Sequence, residues 1–381
     1  METRIKILLV SHSNYVGGSE LCFFEMLKAL HKNDHYDLYA VFPAQEGPLK
    51  KKCEEYCEAT FTQYLPQWID ESVKYSLISK FNRLISIVSS IKKSIRLIHN
   101  VSPDIIITNT SSIPEFAFAS KFTRTKHVWF IHELVEDGLN CHFIYGKKFS
   151  KRIIGLFSDM VISNSKFVYS RYSKYVSEVK LMTVYQPAEI KTNNLGNIKN
   201  STLTLLMMGN ISEFKGQKEA ILACGELYKK NFDYQLLVVG ATASKYLEEL
   251  KGLVTDEYRE RIVFLPFSSN PEYYYKQSDI VLVCSKCESL GRVSIEAMKM
   301  GLPVVASNRG GNLELVEDGV NGYLYQQGNP VDLANKIMLL ESTTIRKQFG
   351  RNGKKFADEN FSLIEFGEKL ENIIQLIVDK K

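Results

Sequence analysis

The sequence predicts an α/β chain made of two halves, each built around a buried parallel sheet. Three observations predict it. Short, almost wholly apolar runs recur along the chain, helical patterns fill the intervals, and one polar stretch without apolar periodicity divides the series in two. A strand covered by helices on both faces reads as a continuous apolar run, whereas a half-exposed strand alternates.

The first series opens with "RIKILLV" (4–10), which gives way to the polar, glycine-bearing "SHSNYVGGSE" (11–20), and continues with "DLYAVF" (37–42). A long helix is expected from about Val73 to Ile98. Leu77, Phe81, Leu84, Val88, Ile91, Ile95 and Ile98 fall there at alternating spacings of four and three, one apolar stripe with Lys80, Arg83, Lys92, Lys93 and Arg96 off it. The stripe is expected to pack on the first sheet; the alternative is a helix lying on a membrane surface. Then come "DIIIT" (104–108), "KHVWFI" (126–131) and "DMVIS" (159–163). The Asn-rich segment at roughly 186–202 is the linker. Beyond it run "LTLLMMG" (203–209), "YQLLVVG" (234–240), "RIVFL" (261–265), "DIVLVC" (279–284) and "LPVVAS" (302–307), with a last helix from about Leu363 to Val378. Each half is thus Rossmann-like, and ligands of such sheets lie beyond the carboxyl ends of the strands.

Composition narrows the class. A chain of 381 residues exceeds one ordinary hydrophobic core, and 45% hydrophobic with 24% charged residues is a globular composition. The net charge of +5 is too small to imply nucleic-acid binding. All of the excess lies in residues 1–190, where 24 Lys and Arg face 19 Asp and Glu; the remaining residues carry 24 of each. Seven scattered cysteines and an opening apolar run too short for a signal peptide suggest a reducing cytoplasm. No uncharged apolar run approaches the roughly 20 residues that cross a bilayer.

The chemistry concentrates in "DIVLVCSKCESLGRVSIEAMKMG" (279–301), read as strand, loop and helix, the helix opening near Gly291 and closing near Gly301. Amides of its first turn at Gly291, Arg292 and Val293 suit an anion such as phosphate, and a carboxylate nearby suits hydroxyl groups. Glu288 and Glu296 flank that turn, so the stretch fits a sugar, a diphosphate and a ribose in sequence. Cys284-x-x-Cys287 permits a rival reading as a redox dithiol, and Cys53-x3-Cys57 as a source of metal ligands.

These residues carry a resemblance. Glu288-x7-Glu296 followed by Ala297, Met298, Gly301 and Pro303 to Ala306, "RGGNLELVEDGVNGYL" (309–324), "GNISEFKGQ" (209–217) and "SHSNYVGGSE" (11–20) stand in the order found in the retaining nucleotide-sugar glycosyltransferases of GT-B fold, glycosyltransferase family 4, the group 1 glycosyltransferases, which the chain resembles over nearly its whole length. The resemblance implies two Rossmann-like domains with parallel sheets facing across a cleft: 1–187 binding the acceptor, 188–362 binding the nucleotide sugar, and 363–381 crossing back as a helix to the first domain. It implies that Glu296 takes the ribose hydroxyls of the donor, Glu288 the hydroxyls of the transferred sugar, and Lys215 the diphosphate beside the amides of Gly291 to Val293. Ser289, Leu290, Gly209 and Asn210 complete the donor loops, and Phe267 borders the nucleobase. Gly17 and Gly18 approach the diphosphate or acceptor, His132 reaches the transferred sugar, and Asn109, with Thr110 and Ser111, either touches the acceptor or caps the next helix. Asn210 stands where most members carry Arg; Arg292 or Arg309 either compensates for that cation or is a solvated surface arginine.

The expected reaction is sugar transfer from a nucleoside diphosphate sugar to a saccharide or lipid-linked saccharide acceptor, with retention, no metal and no cofactor, in bacterial surface polysaccharide or glycoconjugate synthesis. The basic runs 121–127 and 146–152 suggest peripheral contact with an anionic membrane on its inner face. A sugar-nucleotide epimerase of the same fold and a non-catalytic sugar-nucleotide-binding partner subunit are the alternatives.

Overall fold

The structure, a computed structural model, describes residues 4–70, 76–135, 141–191 and 202–379. The chain divides into two compact units, Met1–Pro187 with Leu363–Lys381, and Ala188–Ser362. Most of the expected linker, 192–201, lies outside the described residues.

The first unit holds strands β1 (Ile5–Val10), β2 (Tyr36–Pro43), β3 (Ala59–Gln63), β4 (Ile69–Asp70), β5 (Ile105–Thr108), β6 (Lys126–Ile131), β7 (His142–Phe143), β8 (Met160–Ser163) and β9 (Leu181–Thr183). Seven of them form one parallel sheet in the order β3-β2-β1-β5-β6-β8-β9, while β4 and β7 pair antiparallel. Its helices are α1 (Gly18–Leu30), α2 (Pro48–Cys53), α3 (Leu77–Val101), α4 (Glu115–Thr123), α5 (Lys147–Leu156) and α6 (Lys166–Tyr172). Alternate residues of a strand point to opposite faces. Ile7 and Leu9 accordingly pack with Phe23 and Met26 of α1, and Leu8 and Val10 with Ile98 of α3 and Phe116 of α4.

Helix α3 corrects one expectation. Its start is set by Ser76, whose hydroxyl accepts from the Ser79 amide at 3.0 Å, and the expected first turn from Val73 falls outside the described residues. Only the second half of the stripe reaches the core: Ile98 is buried and Ile91 and Ile95 pack beside it, but Leu77, Phe81, Leu84 and Val88 are exposed. A stripe with period 3.5 on a helix of 3.6 residues per turn slides round by roughly 20° per heptad, and the buried line is instead Ile87, Ser90, Ser94 and Ile98.

The second unit holds β10 (Leu203–Met208), β11 (Tyr234–Ala241), β12 (Ile262–Pro266), β13 (Ile280–Val283), β14 (Val304–Ser307) and β15 (Gly322–Tyr325), a parallel sheet in the order β12-β11-β10-β13-β14-β15. Its helices are α7 (Gln217–Lys229), α8 (Lys245–Gly252), α9 (Pro271–Lys276), α10 (Arg292–Lys299), α11 (Asn312–Leu315), α12 (Pro330–Met338) and α13 (Thr343–Asn360). Leu205, Leu236, Ile280 and Val305 form its core with Ile221 and Ile337 of α7 and α12. The chain then returns to the first unit as α14 (Leu363–Val378), whose Phe366, Leu370, Ile373, Ile374 and Ile377 are buried in that unit's core. Among the described residues no helix is long and apolar enough to cross a membrane.

Candidate active site

In the second unit three loops leave the carboxyl ends of β10, β13 and β14 and interlock through backbone contacts that leave no room for side chains. Gly216, which caps α7 with φ of 71°, would set a Cβ 2.1 Å from the Cys284 carbonyl oxygen. The Lys286 amide donates to the Phe214 carbonyl at 2.8 Å, fixing the first loop to the second. Gln217, buried, donates to the Asn210 carbonyl at 2.9 Å and holds the turn that begins at Gly209. Gly310 lies at φ of 61° with its would-be Cβ 2.3 Å from the Glu288 carbonyl oxygen, and Gly311 has no more space against Leu290 and Ser289. The Gly311 amide donates to that same Glu288 carbonyl at 2.8 Å, and the Ser307 hydroxyl to the Ser285 carbonyl at 2.6 Å.

That framework brings the expected residues together in two pairs. Lys215 donates to Glu288 Oε1 at 2.7 Å, and the Ser285 hydroxyl donates to the same oxygen at 2.5 Å. Burial pushes the Glu288 carboxyl up, but the Lys215 ammonium and the two hydrogen bonds outweigh it and hold the group below its ordinary range. Glu288 is therefore an ionised acceptor at neutral pH. One turn into α10, Glu296 receives Arg292 Nε at 2.9 Å on one oxygen and the Tyr275 hydroxyl at 3.0 Å on the other. Tyr275 is fully buried, and burial with the Glu296 charge raises its phenol well above the ordinary value, so it remains a donor.

Helix α10 begins at Gly291, whose φ of 110° is open to glycine and strained for other residues. Its first internal hydrogen bonds come from Ser294 and Ile295 to the Gly291 carbonyl, so the amides of Gly291, Arg292 and Val293 face the helix opening. Ser294 Oγ and Asn312 Oδ1 are buried there without hydrogen-bond partners. Phe267, just past β12, is 63% exposed. Arg292 is paired with Glu296, and Arg309 is exposed on the loop after β14.

The remaining residues belong to the first unit. His132, 5% exposed after β6, has Nε2 2.6 Å from Asn109 Oδ1 and Nδ1 2.7 Å from Gln186 Oε1. Burial lowers its pKa, with the Glu133 charge opposing. A neutral imidazole carries one N–H. Asn109 is oriented by donating to the Ser19 carbonyl at 2.9 Å, which assigns an N–H to Nε2, while Gln186 Oε1 beside Nδ1 also accepts from the Asn164 amide at 3.4 Å. Asn109, Thr110 and Ser111 do not cap α4: Thr110 bonds Ser112, and Ser111 donates backbone and side chain to Glu133 Oε2. Gly17 is extended, with the Glu20 carboxylate Oε2 2.6 Å from where its Cβ would lie; Gly18 opens α1 with free space around it. His12 Nε2 lies 3.5 Å from Glu20 Oε1. Three buried atoms along the carboxyl edge of this sheet lack partners: His12 Nδ1, Glu133 Oε1 and Asn164 Oδ1.

Sequence reasoning missed Tyr275, Ser285 and Gln217. Tyr275 lies in an ordinary-looking "PEYYYK", and no local pattern announces that its hydroxyl meets a carboxylate 21 positions away. The dithiol reading is not supported: neither Cys284 nor Cys287 is in a disulfide, and burial pushes the Cys284 thiol up to about 12, away from a reactive thiolate. Cys53 and Cys57 are likewise free and raised by burial. Among the described residues no group of three or more His, Cys, Asp or Glu is placed to hold a metal ion.

Two family descriptions match in tandem: Glycosyltransferase Family 4 over residues 16–189 and Glycosyl transferases group 1 over residues 191–356. The chain is 31% identical over 183 residues to spore coat protein SA of Bacillus subtilis (strain 168), covering 45% of this chain and 48% of that protein. It is 26% identical over 175 residues to the capsular polysaccharide biosynthesis glycosyltransferase CapM of Staphylococcus aureus, covering 46% of each. The chain thus spans about half the length of these curated relatives. Among solved structures, that of Anabaena Alr3699/HepE in complex with UDP and glucose superposes with a TM-score of 0.77 at 23% identity, covering 98% of this chain and 100% of that one.

Proposed function

Starting from a chain that belongs to the glycosyltransferases of GT-B fold, we propose that it is a retaining, metal-independent enzyme that transfers a sugar from a nucleoside diphosphate sugar to a saccharide or lipid-linked saccharide acceptor, in synthesis of a bacterial surface polysaccharide or glycoconjugate. The observation that carries the reading is the second unit's pairing of Lys215 with Glu288 beside the opening of α10, with Glu296 one turn further on. A cation and helix amides meet a diphosphate, and the flanking carboxylates meet hydroxyl groups on either side.

In the reaction the bond from the anomeric carbon to the donor diphosphate breaks, and a bond forms from that carbon to the acceptor oxygen. The acceptor proton leaves with the nucleoside diphosphate on the face where the acceptor enters. Negative charge accumulates on the departing diphosphate while the sugar becomes oxocarbenium-like. Lys215 and the amides of Gly291 to Val293 meet that charge, and the lowered pKa of Glu288 keeps it an acceptor for the sugar hydroxyls. UDP is the first donor nucleotide to try, because the Anabaena neighbour is a UDP complex. In the first unit, the unpartnered Glu133 Oε1 and Asn164 Oδ1 suit hydroxyl donors of an acceptor, and His132 suits the transferred sugar. Peripheral contact with an anionic membrane surface on the cytoplasmic side is part of the same reading.

A thermal-shift panel of UDP-, GDP- and ADP-sugars tests the donor, since a ligand selective for the folded state raises the melting temperature. The expected result is one nucleotide class that stabilises, with the shift lost in Glu296→Ala and free nucleoside diphosphate released when acceptor is added in EDTA. An altered sugar still joined to its nucleotide would replace this reading with isomerisation, and binding without turnover with a partner subunit.

A further inference from the structure

Three helices cover one face of the first unit's sheet. Helices α3 and α4 pack on the side of Leu8, Val10 and Ile106, opposite α1 and α14, and Phe118 of α4 packs against Phe157 at the end of α5 with ring centroids 4.5 Å apart and the rings tilted by 58°. Their outer surface is unusual in two ways at once. Large apolar side chains stand in solvent, with Leu77 85%, Ile78 74% and Phe81 62% exposed on α3, and Phe122, Phe149 and Leu156 also exposed on α4 and α5. The same three helices carry five, one and four Lys or Arg, of which Lys151 is buried while Arg83 and Lys121 pair with Asp70 and Asp159 from adjoining segments; the helices' own acid is the fully buried Glu115.

On α3 these features share one exposed side. At 3.6 residues per turn, Leu77, Phe81, Leu84, Ile85 and Val88 lie about a third of a turn from the buried line through Ile87, Ser94 and Ile98. Lys92 and Arg96 continue that exposed side toward the C-terminus. A monomer surface ordinarily scatters such side chains singly.

We propose that the α3–α4–α5 face docks the protein on an anionic lipid bilayer, the aliphatic and aromatic side chains entering the headgroup boundary and the lysines and arginines meeting lipid phosphates. This deepens the membrane contact proposed above by naming its surface. A second copy of the chain is a poorer occupant, because basic residues outnumber the flanking acids Asp70 and Asp159, which pair with Arg83 and Lys121, so a face meeting itself would oppose like charges. A nucleic acid would leave the aliphatic side chains without cover.

The test is co-sedimentation of the full chain with vesicles of phosphatidylcholine alone and of phosphatidylcholine mixed with phosphatidylglycerol. Capture is read without donor or acceptor, so it fails or succeeds separately from sugar transfer. Binding to the anionic vesicles, falling as salt is added, is expected, and at least about tenfold weaker binding for Phe81→Glu/Ile85→Glu and for Lys92→Glu/Arg96→Glu. All four positions are exposed, and an unchanged melting temperature verifies folding. If one pair unfolds the chain, the other pair and the salt titration of the unmodified protein still decide. Equal capture by both vesicle types, variants that bind as well as the unmodified chain, or no capture at all would overturn the proposal. So would a dimer that Phe81→Glu/Ile85→Glu dissolves in the absence of vesicle binding, which would make the face an interface between copies.

Discussion

Three acids of this chain are withdrawn from water in three different ways. Glu288 is compensated by a lysine and a serine, Glu296 by an arginine and a tyrosine, and Glu115 has no partner on either oxygen. The first case predicts that Lys215→Ala lowers transfer by about 100- to 1000-fold, the usual cost of one donor aimed at developing charge. It also leaves the half-buried Glu288 charge with the Ser285 hydroxyl but no cation, so Lys215→Ala/Glu288→Gln should melt higher than Lys215→Ala alone while recovering no activity. The third case predicts a pH dependence. Burial pushes Glu115 up to about 8 from 4.5 and pushes His127 down to about 3 from 6.5. A carboxyl raised on folding loses stability as pH rises from 4.5 to 8; an imidazole lowered on folding loses it as pH falls from 6.5 to 3. Between 4.5 and 6.5 the Glu115 slope is opposed by His127 and by His132, whose pKa burial also lowers. From pH 6.5 to 8 Glu115 acts alone, and the first unit should lose about 1.4 kcal/mol per pH unit; Glu115→Gln should flatten the first unit's melting temperature over that window. Glu288 and Glu296 were legible as a pair because their spacing and the glycine between them belong to one strand–loop–helix unit. Their partners were not, since Tyr275 and Ser285 acquire their meaning where separate elements meet.

At the scale of elements, buried pieces were legible and three of the four sheet edges were not, the exception being β12, whose "RIVFL" is apolar enough to be read. All ten apolar runs are strands, with ends within a residue or two of those expected. The strands passed over are β3, β9 and β15, each at an edge of its sheet, together with the two-residue β4 and β7. An edge strand has one neighbour and partly exposed faces, so "ATFTQ", "LMT" and "GYLY" need not be apolar throughout. Helix α3 misled for a related reason: a periodic stripe says that one side is apolar, not that protein covers it. The loops at the site obey a stricter rule, since backbone meets backbone. Gly310→Ala combines a left-handed φ of 61° with a Cβ 2.3 Å from the Glu288 carbonyl. It should displace the Glu288 loop, destabilise the second unit by about 1–3 kcal/mol, and abolish the melting-temperature shift given by the donor. Gly319→Ala is the matched control. Its φ is 80° with nothing within 4 Å of the Cβ, so it should cost comparable backbone strain and leave the donor shift intact. Equal loss of the donor shift in both variants would show that strain, rather than the approach to Glu288, is what the glycine relieves.

At the scale of the whole molecule, sequence order and structural membership part company at residue 363. Helix α14 follows the second unit along the chain but belongs to the first. Its Gly367 approaches Ala29 of α1 to 3.3 Å from the would-be Cβ, and Phe366 stacks on Phe130 of β6 with centroids 5.9 Å apart. An apolar stripe at 366, 370, 373, 374 and 377 is visible in the sequence, yet periodicity cannot say which sheet it covers. The destination has a measurable consequence. Burying a large aliphatic or aromatic side chain is worth roughly 1.5–3 kcal/mol, so five of them sum to roughly 7–15 kcal/mol, the size of a whole domain's stability. Truncation after Ser362 should therefore unfold the first unit, not the second beside it in sequence. Calorimetry of the truncated chain is expected to lose one transition and keep another that a donor nucleotide still shifts upward, because Lys215, Glu288 and Glu296 all remain in the second unit. Loss of the donor-responsive transition, with the other preserved, would place α14 with the wrong unit. A peptide of residues 363–381 added back in excess should restore the missing transition, since it supplies the apolar face that α1 and β6 are left without.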